Sequence, residues 1–197
     1  MTIYALSSGT GISGLAVIRI SGPDTKKIIE SLTNSPAPKP RMATLKKFSK
    51  IKSNELIDEG ILLWFPGPQS YTGEDMAELH VHGSRAVVEA MHASISIIEN
   101  CRLAEPGEFT KLAFQNGKIN LLKAESISDL ISAETEMQRH QAIKIMSGKS
   151  SEKFNKLRDR LLKILSNVEA KIDFPEEDLP EDIIKNIKVE SNKIKEE

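Results

Sequence analysis

The apolar residues of this chain change their spacing partway along, and that change constrains the fold more than any other feature. Up to about residue 118 they fall in short runs, often at alternate positions, separated by turn residues. Farther on they recur at Phe154, Leu157, Leu161, Leu165, Val168 and Ile172, three or four apart. A period of two puts one face of a strand into a core, and a period near 3.6 does the same for a helix. The chain therefore reads as an α+β N-terminal domain over residues 1–118, followed by an all-α segment over 119–197. With 197 residues and 39% apolar content, it is long enough for one domain or two small ones with real cores.

Within the first part, LAVIRI (15–20) is rich in branched residues and predicts a buried strand. SGPDTKKIIESL follows as a helix, with Ser21 or Gly22 as its cap and Pro23 in its first turn. ELIDEGILLWF (55–65) predicts a strand pair or one long strand, PGPQSYTGED (66–75) a loop, and MAELHVH another strand. SRAVVEAMHASISIIEN (84–100) places Val87, Val88, Met91, Ile95 and Ile98 on one helical stripe. In EPGEFTKLAFQNGK, Pro106 and Gly107 open a helix, and Asn116-Gly117 favours positive φ in the turn that ends it. Toward the C-terminus, Pro175 and Pro180 interrupt the long helix, and IIKNIKVESNKIKEE predicts a last polar helix.

Composition excludes several classes. Residues 1–118 carry 13 basic and 12 acidic groups, and residues 119–197 carry 14 and 16. Neither half has the basic surplus of an autonomous nucleic-acid binder. The single cysteine, Cys101, excludes an internal disulfide framework and fits a reducing cytoplasm. No apolar run approaches the roughly 20 residues of a membrane helix, and MTIYALSSGTG lacks the features of a signal peptide. A soluble protein is expected.

Three motifs suggest chemistry. In MAELHVHG, Glu78, His80 and His82 alternate and share one strand face. Spread over roughly 13 Å, the outer two are poorly placed to meet one metal ion. A solvated face, or the polar wall of a ligand pocket with Glu78 as acceptor, remain as readings. SGKSS (147–151) is not a phosphate loop, because position 143 is Ile rather than Gly and the segment lies in a helical region; Gly148 marks a kink or a break between two helices. The glycines of SSGTGISG precede a strand instead of following one, so a tight turn outweighs a dinucleotide site. Arg19 shares a face with Leu15 and Val17. It either snorkels at an edge or holds a carboxylate by a two-pronged hydrogen bond. Lys118 directly follows the Asn116-Gly117 turn, where it is either solvated or within reach of a ligand anion.

Taken together, GLAVIRISG, LWFPGPQSYTGEDMAELHVHG, EPGEFTKLAFQNGKINLLKAESISDLISAETE and NVEAKIDFPEED resemble the bacterial and organellar tRNA uridine 5-carboxymethylaminomethyl-modification GTPases, the MnmE/TrmE family. The resemblance covers nearly the whole chain. It implies an N-terminal folate-binding and dimerisation domain, related in fold to the aminomethyltransferase of glycine cleavage, and then a helical domain interrupted by an inserted GTPase domain. It implies a homodimer formed through the N-terminal domain, a flavin-dependent partner (MnmG, also called GidA), and tRNA as substrate. The reaction places an aminomethyl-type group on C5 of the wobble uridine, U34, in the cytoplasm. Its carbon comes from a tetrahydrofolate derivative, 5-formyl- or 5,10-methylene-tetrahydrofolate.

By matching motif positions, the resemblance assigns folate binding to Arg19, Glu78 and Lys118, with no catalytic residue and no metal ligand in this chain. GTP, Mg and K belong to the GTPase domain, which the resemblance places after Glu197. No GxxxxGK[ST] motif occurs in the sequence, and the family's C-terminal CxGK ending is absent. The helical seam from Phe154 to Ile172 is expected to lack its partner helices. Two other readings stand beside this one. A dimerisation module without folate affinity is the first, and a metal-dependent hydrolase built on Glu78, His80 and His82 is the second.

Overall fold

A computed structural model describes residues 1–173 and 183–196. It forms two compact units, Met1–Asn120 and Leu121–Glu197. The first unit runs β1 (Thr2–Leu6), β2 (Ser13–Ser21), α1 (Thr25–Thr33), β3 (Thr44–Ser49), β4 (Leu56–Phe65), β5 (Met76–Gly83), α2 (Arg85–Ile95), β6 (Cys101–Leu103) and α3 (Glu108–Gln115). Its six strands make one sheet in the order β3-β4-β5-β2-β1-β6. All neighbours are antiparallel except β1 and β6.

The alternation read from sequence decides which face is buried. Ala16, Ile18 and Ile20 of β2, Ala77, Leu79 and Val81 of β5, and Leu62 and Trp64 of β4 enter one core, with Ile28, Ile29 and Leu32 of α1 and Met91 and Ile95 of α2. Their odd or even neighbours, Val17, Arg19, Glu78 and His80 among them, lie on the opposite face. ELIDEGILLWF is one strand, with no turn at Gly60. Ile98 falls beyond the end of α2 yet remains buried in the core.

The start of α1 differs from the sequence reading. The helix begins at Thr25 with Asp24 in the cap position, so neither Ser21 nor Gly22 caps it and Pro23 lies in the preceding turn. The reason is tertiary. Ser21 is the last residue of β2, paired with Ile3 on one side and Met76 on the other. Gly22 adopts φ +135°, and a Cβ there would lie 2.6 Å from the Thr2 Cα. Its N–H donates to the Asp75 carbonyl, and the Asp24 N–H donates to Thr2 Oγ1 at 2.9 Å.

On α2, His92 packs edge-to-face on Tyr4, ring centroids 5.5 Å apart. Its Nε2 is buried without a hydrogen-bond partner among the described residues. Burial lowers its pKa below the ordinary 6.5, so the native state binds this proton less readily than the unfolded chain does. Stability from this site is therefore fully kept above pH 6.5 and falls as pH drops through the unfolded and then the native value. Thermal denaturation between pH 7 and pH 5 is expected to show a smaller acid loss in His92→Phe than in the wild type. An equal loss would place the acid sensitivity elsewhere.

The second unit is all helical: α4 (Leu121–Ile131), α5 (Glu136–Met146), α6 (Lys149–Asp173) and α7 (Ile183–Glu196). Thr135 and Gln138 form a reciprocal capping box at the start of α5. Gly148, at φ +87°, separates α5 from α6, so SGKSS spans a helix junction. The interruption read at Pro175 and Pro180 lies outside the described residues. On α6, Phe154, Leu161, Leu165 and Ile172 of the seam are exposed, while α7 meets the helix through Arg160 and Glu190, 3.4 Å apart. Among the described residues, no helix is long and apolar enough to cross a membrane.

Candidate functional site

The face of the sheet opposite the main core carries the polar cluster. Antiparallel pairing puts Arg19 of β2 directly across from Glu78 of β5, and Val17 across from His80. Directly opposite residues share a face and bring their side chains into contact. Arg19 Nε and Nη2 both donate to Glu78 Oε1, at 3.1 and 2.7 Å. The arginine therefore does more than snorkel at an edge. It holds a carboxylate with two donors, but the carboxylate is the protein's own and a single oxygen takes both bonds.

The guanidinium lies between two rings, its carbon 5.6 Å from the Phe109 centroid and 5.8 Å from that of Tyr71. Such contacts favour a cation on an aromatic face. The pair keeps limited access to water, with side chains 29% and 18% exposed, so its attraction is screened less than that of a surface pair.

Glu78 Oε2 is left almost without partners. Among the described residues it forms no hydrogen bond, and His80 Nε2 lies 3.6 Å away, beyond hydrogen-bond range. That nitrogen is buried and unpaired among the described residues. An acceptor oxygen and a polar ring nitrogen thus sit side by side with unspent hydrogen-bonding capacity.

The loop between β4 and β5 and helix α3 close around this pair. Tyr71 OH pairs with Thr110 Oγ1 at 3.0 Å, and Asn116 Nδ2 donates to the Thr72 carbonyl at 2.7 Å. Ser21, two residues along from Arg19 on the same face, pairs with Thr72 at 2.8 Å and donates to Glu74 at 3.1 Å. Gly73, at φ +83°, packs on the stem of Lys118, whose Cε would lie 3.1 Å from a Cβ placed there. In the turn after α3, positive φ falls on Gly117 alone, since Asn116 stays at φ −86°. The Lys118 N–H caps α3 by donating to the Ala113 carbonyl at 2.8 Å. Its exposed ammonium has no ion pair or hydrogen bond among the described residues. The loop and α3 thereby connect Lys118 to the Arg19–Glu78 pair.

His82 follows the alternation onto the same face but bonds elsewhere. Its Nδ1 meets Asp58 Oδ1 at 2.8 Å, and its N–H donates to Asp58 Oδ2 at 2.7 Å. Burial alone would raise the Asp58 pKa. Hydrogen bonds from His82 and from the Glu59 N–H outweigh that effect and hold the carboxyl below its ordinary range. Among the described residues, no group of three or more His, Cys, Asp or Glu side chains is arranged to hold a metal ion. An open cavity of about 900 Å³ in the second unit is lined by Asp129, Gln138, His140 and Lys144 among others. It contains none of the three residues read from sequence, and the unsatisfied atoms at Glu78 and His80 mark the chemistry more directly than size does.

Tyr71, Phe109 and Asp58 complete this surroundings and were missed in the sequence. Tyr71 sits in a loop without periodicity, and Phe109 reads as an ordinary core position of a short helix. Asp58 carries no signal that would tie it to a histidine 24 residues away.

Arg19, Glu78 and Lys118 lie in the segments quoted above as resembling a known family, and comparison with known proteins bears on that resemblance. The model described as the GTP-binding protein TrmE N-terminus matches residues 2–118, and the MnmE helical domain matches residues 121–197. The tRNA modification GTPase MnmE of Pelagibacter ubique is 74% identical over 98% of this chain and 44% of its own length. That of Parvibaculum lavamentivorans is 45% identical over 93% of this chain and 42% of its own length. A mitochondrial 5-taurinomethyluridine-[tRNA] synthase subunit of Danio rerio is 48% identical over 94% and 37%. The chain therefore spans less than half the length of these relatives. With one family model covering more than half of it and a second covering nearly all the rest, the chain belongs to the MnmE/TrmE family of tRNA modification GTPases.

Proposed function

We propose that this chain is the tetrahydrofolate-binding and dimerising portion of a protein that modifies the wobble uridine, U34, of tRNA together with a flavin-dependent partner of the MnmG type. One observation carries the folate reading. Glu78 is locked by Arg19 through one oxygen and offers the other, beside an unpaired nitrogen, on a face walled by Tyr71 and Phe109. A reduced pterin presents ring and amino N–H donors along one edge, which a half-buried carboxylate accepts well. Glu78 is the acceptor in this reading and Arg19 the residue that positions it. Lys118, whose ammonium has no partner among the described residues, pairs with the carboxylates of the glutamate tail. The bound folate supplies the one-carbon unit, as 5-formyl- or 5,10-methylene-tetrahydrofolate. GTP hydrolysis, with Mg and K, belongs to a domain outside this chain, and the setting is the cytoplasm.

Calorimetric titration with 5-formyltetrahydrofolate tests the proposal, and saturable binding of one ligand per chain is the expected result. A folded dimer that binds none would favour the second reading, a dimerisation module for the partner enzyme. Incubated with GTP and Mg, the chain is expected to release phosphate no faster than buffer does, because it has no GxxxxGK[ST] motif to cradle the phosphates. Release above that background would contradict the assignment of hydrolysis to another domain.

Dimerisation has its own support. Leu15, Leu45 and Ile61 are 54%, 66% and 41% exposed, and Leu45 and Ile61 are cross-strand partners in the row that continues to His80. A run of exposed apolar side chains on a sheet face suits a self-complementary interface. Sedimentation equilibrium is expected to show a dimer for the wild type and a shift to monomer for Ile61→Lys. A dimer unchanged by the substitution would move the interface off this row.

A further inference from the structure

We infer that His80 is the residue of the Glu78 site that selects a 4-oxo pterin over a 4-amino one, an inference that rests on the folate reading. The argument starts from two unsatisfied atoms. Glu78 Oε2 and His80 Nε2 are 3.6 Å apart, too far to bond each other and close enough for two adjacent ring substituents to bridge. His80 Nε2 is buried without a partner among the described residues. A buried polar atom left unpaired costs free energy, and beside an open carboxylate oxygen a ligand is one partner that would satisfy it. Beside a carboxylate oxygen, the Nε2–H form is electrostatically favoured, and a small turn of the half-buried His80 ring, whose Nε2 is shut off from solvent, would present a donor next to the acceptor.

The 4-oxo pterin edge has the complementary order. Its N3–H donates to Glu78 Oε2, the oxygen that Arg19 leaves open, and the neighbouring O4 accepts from His80 Nε2–H. A 4-amino pteridine places an N–H group against that same donor and, with no hydrogen on N3, a lone pair against Glu78 Oε2, so the first mismatch falls on His80 and the second on Glu78. Rejection by an unpaired buried donor is a strong form of discrimination. Val17 opposite His80 and Ile61 on its other side offer no polar substitute.

The test titrates the full chain with 5-formyltetrahydrofolate and with a 4-amino-4-deoxy tetrahydrofolate analogue, comparing wild type, His80→Phe and His80→Gln. The wild type is expected to prefer the 4-oxo ligand by about tenfold or more, the scale of one buried hydrogen bond. In His80→Phe the 4-oxo ligand weakens by about tenfold while the 4-amino ligand changes by less than about twofold, so the preference narrows by about tenfold to the part that Glu78 contributes through N3–H. His80→Gln keeps an N–H donor and retains 4-oxo binding within about threefold, which guards against a Phe variant that folds poorly. A purely packing role would weaken both ligands alike, and that result, or a wild type without preference, overturns the inference while leaving folate binding intact. A wild type that binds neither ligand overturns the folate reading itself and this inference with it.

Discussion

Replacing Glu78 by alanine is expected to abolish binding of 5-formyltetrahydrofolate at any concentration reached in a calorimetric titration. The substitution removes the carboxylate that Arg19 holds and with it the acceptor for the pterin N–H groups. Two hydrogen bonds to a charged acceptor are worth about 1.5–3 kcal/mol each, which together weaken binding by more than about 100-fold. The change also strands Arg19 between Tyr71 and Phe109 without its partner, so part of the loss comes from a guanidinium free to move into the vacated space. Glu78→Gln separates the two effects. Its amide oxygen can still accept from Arg19, but it offers no charge and only one acceptor atom, so the variant stays folded by circular dichroism and still binds much more weakly than wild type. Retention of near wild-type affinity by both variants would put the pterin somewhere other than the β5 strand.

The second large effect is expected at Gly60. An added Cβ would lie 2.0 Å from the His80 carbonyl oxygen and 3.1 Å from its carbonyl carbon. Both are backbone atoms in a central strand, so no side chain can swing aside to relieve the contact. Gly60→Ala must therefore push β4 and β5 apart where Ile61 pairs with His80. Overpacking of this kind costs about 1–3 kcal/mol, more when backbone has to move, and a loss of roughly 10 °C in the thermal midpoint is expected for a domain of this size. Because the displaced residue is His80, folate affinity should fall together with stability. An alanine variant as stable as wild type would mean that the strands approach less closely than described.

Gly148 shows the contrasting case. Unlike Gly60, Gly148 has positive φ, and nothing lies within 4 Å of a Cβ built there. Its requirement is conformational, not steric, and it could be read from sequence as a break between two helical patterns. The closeness of Gly60 to its neighbour could not, since ELIDEGILLWF contains nothing that reports the distance to a strand 20 residues away.

The features legible in the sequence were those that a short window encodes. Period-two alternation placed Ile18 and Ile20 on one face and Arg19 on the other. It put Glu78, His80 and His82 in one row, and spacing of three or four made Phe154 to Ile172 a single helix. Asn116-Gly117 and Gly148 marked a turn and a break because positive φ is a local property of the backbone. The start of α1 escaped this reading, since Ser21 was claimed by strand pairing with Ile3 and Met76 before it could cap a helix. Tertiary structure alone decided which partners the polar residues found. Arg19 meets Glu78 because β2 and β5 pair in one particular register across 59 residues of chain. His82 turns to Asp58, and Tyr71 and Phe109 reach Arg19 from a loop and a helix far apart in sequence. Periodicity states which way a side chain faces, whereas register and loop closure set what it faces, and those depend on the packing of the whole sheet.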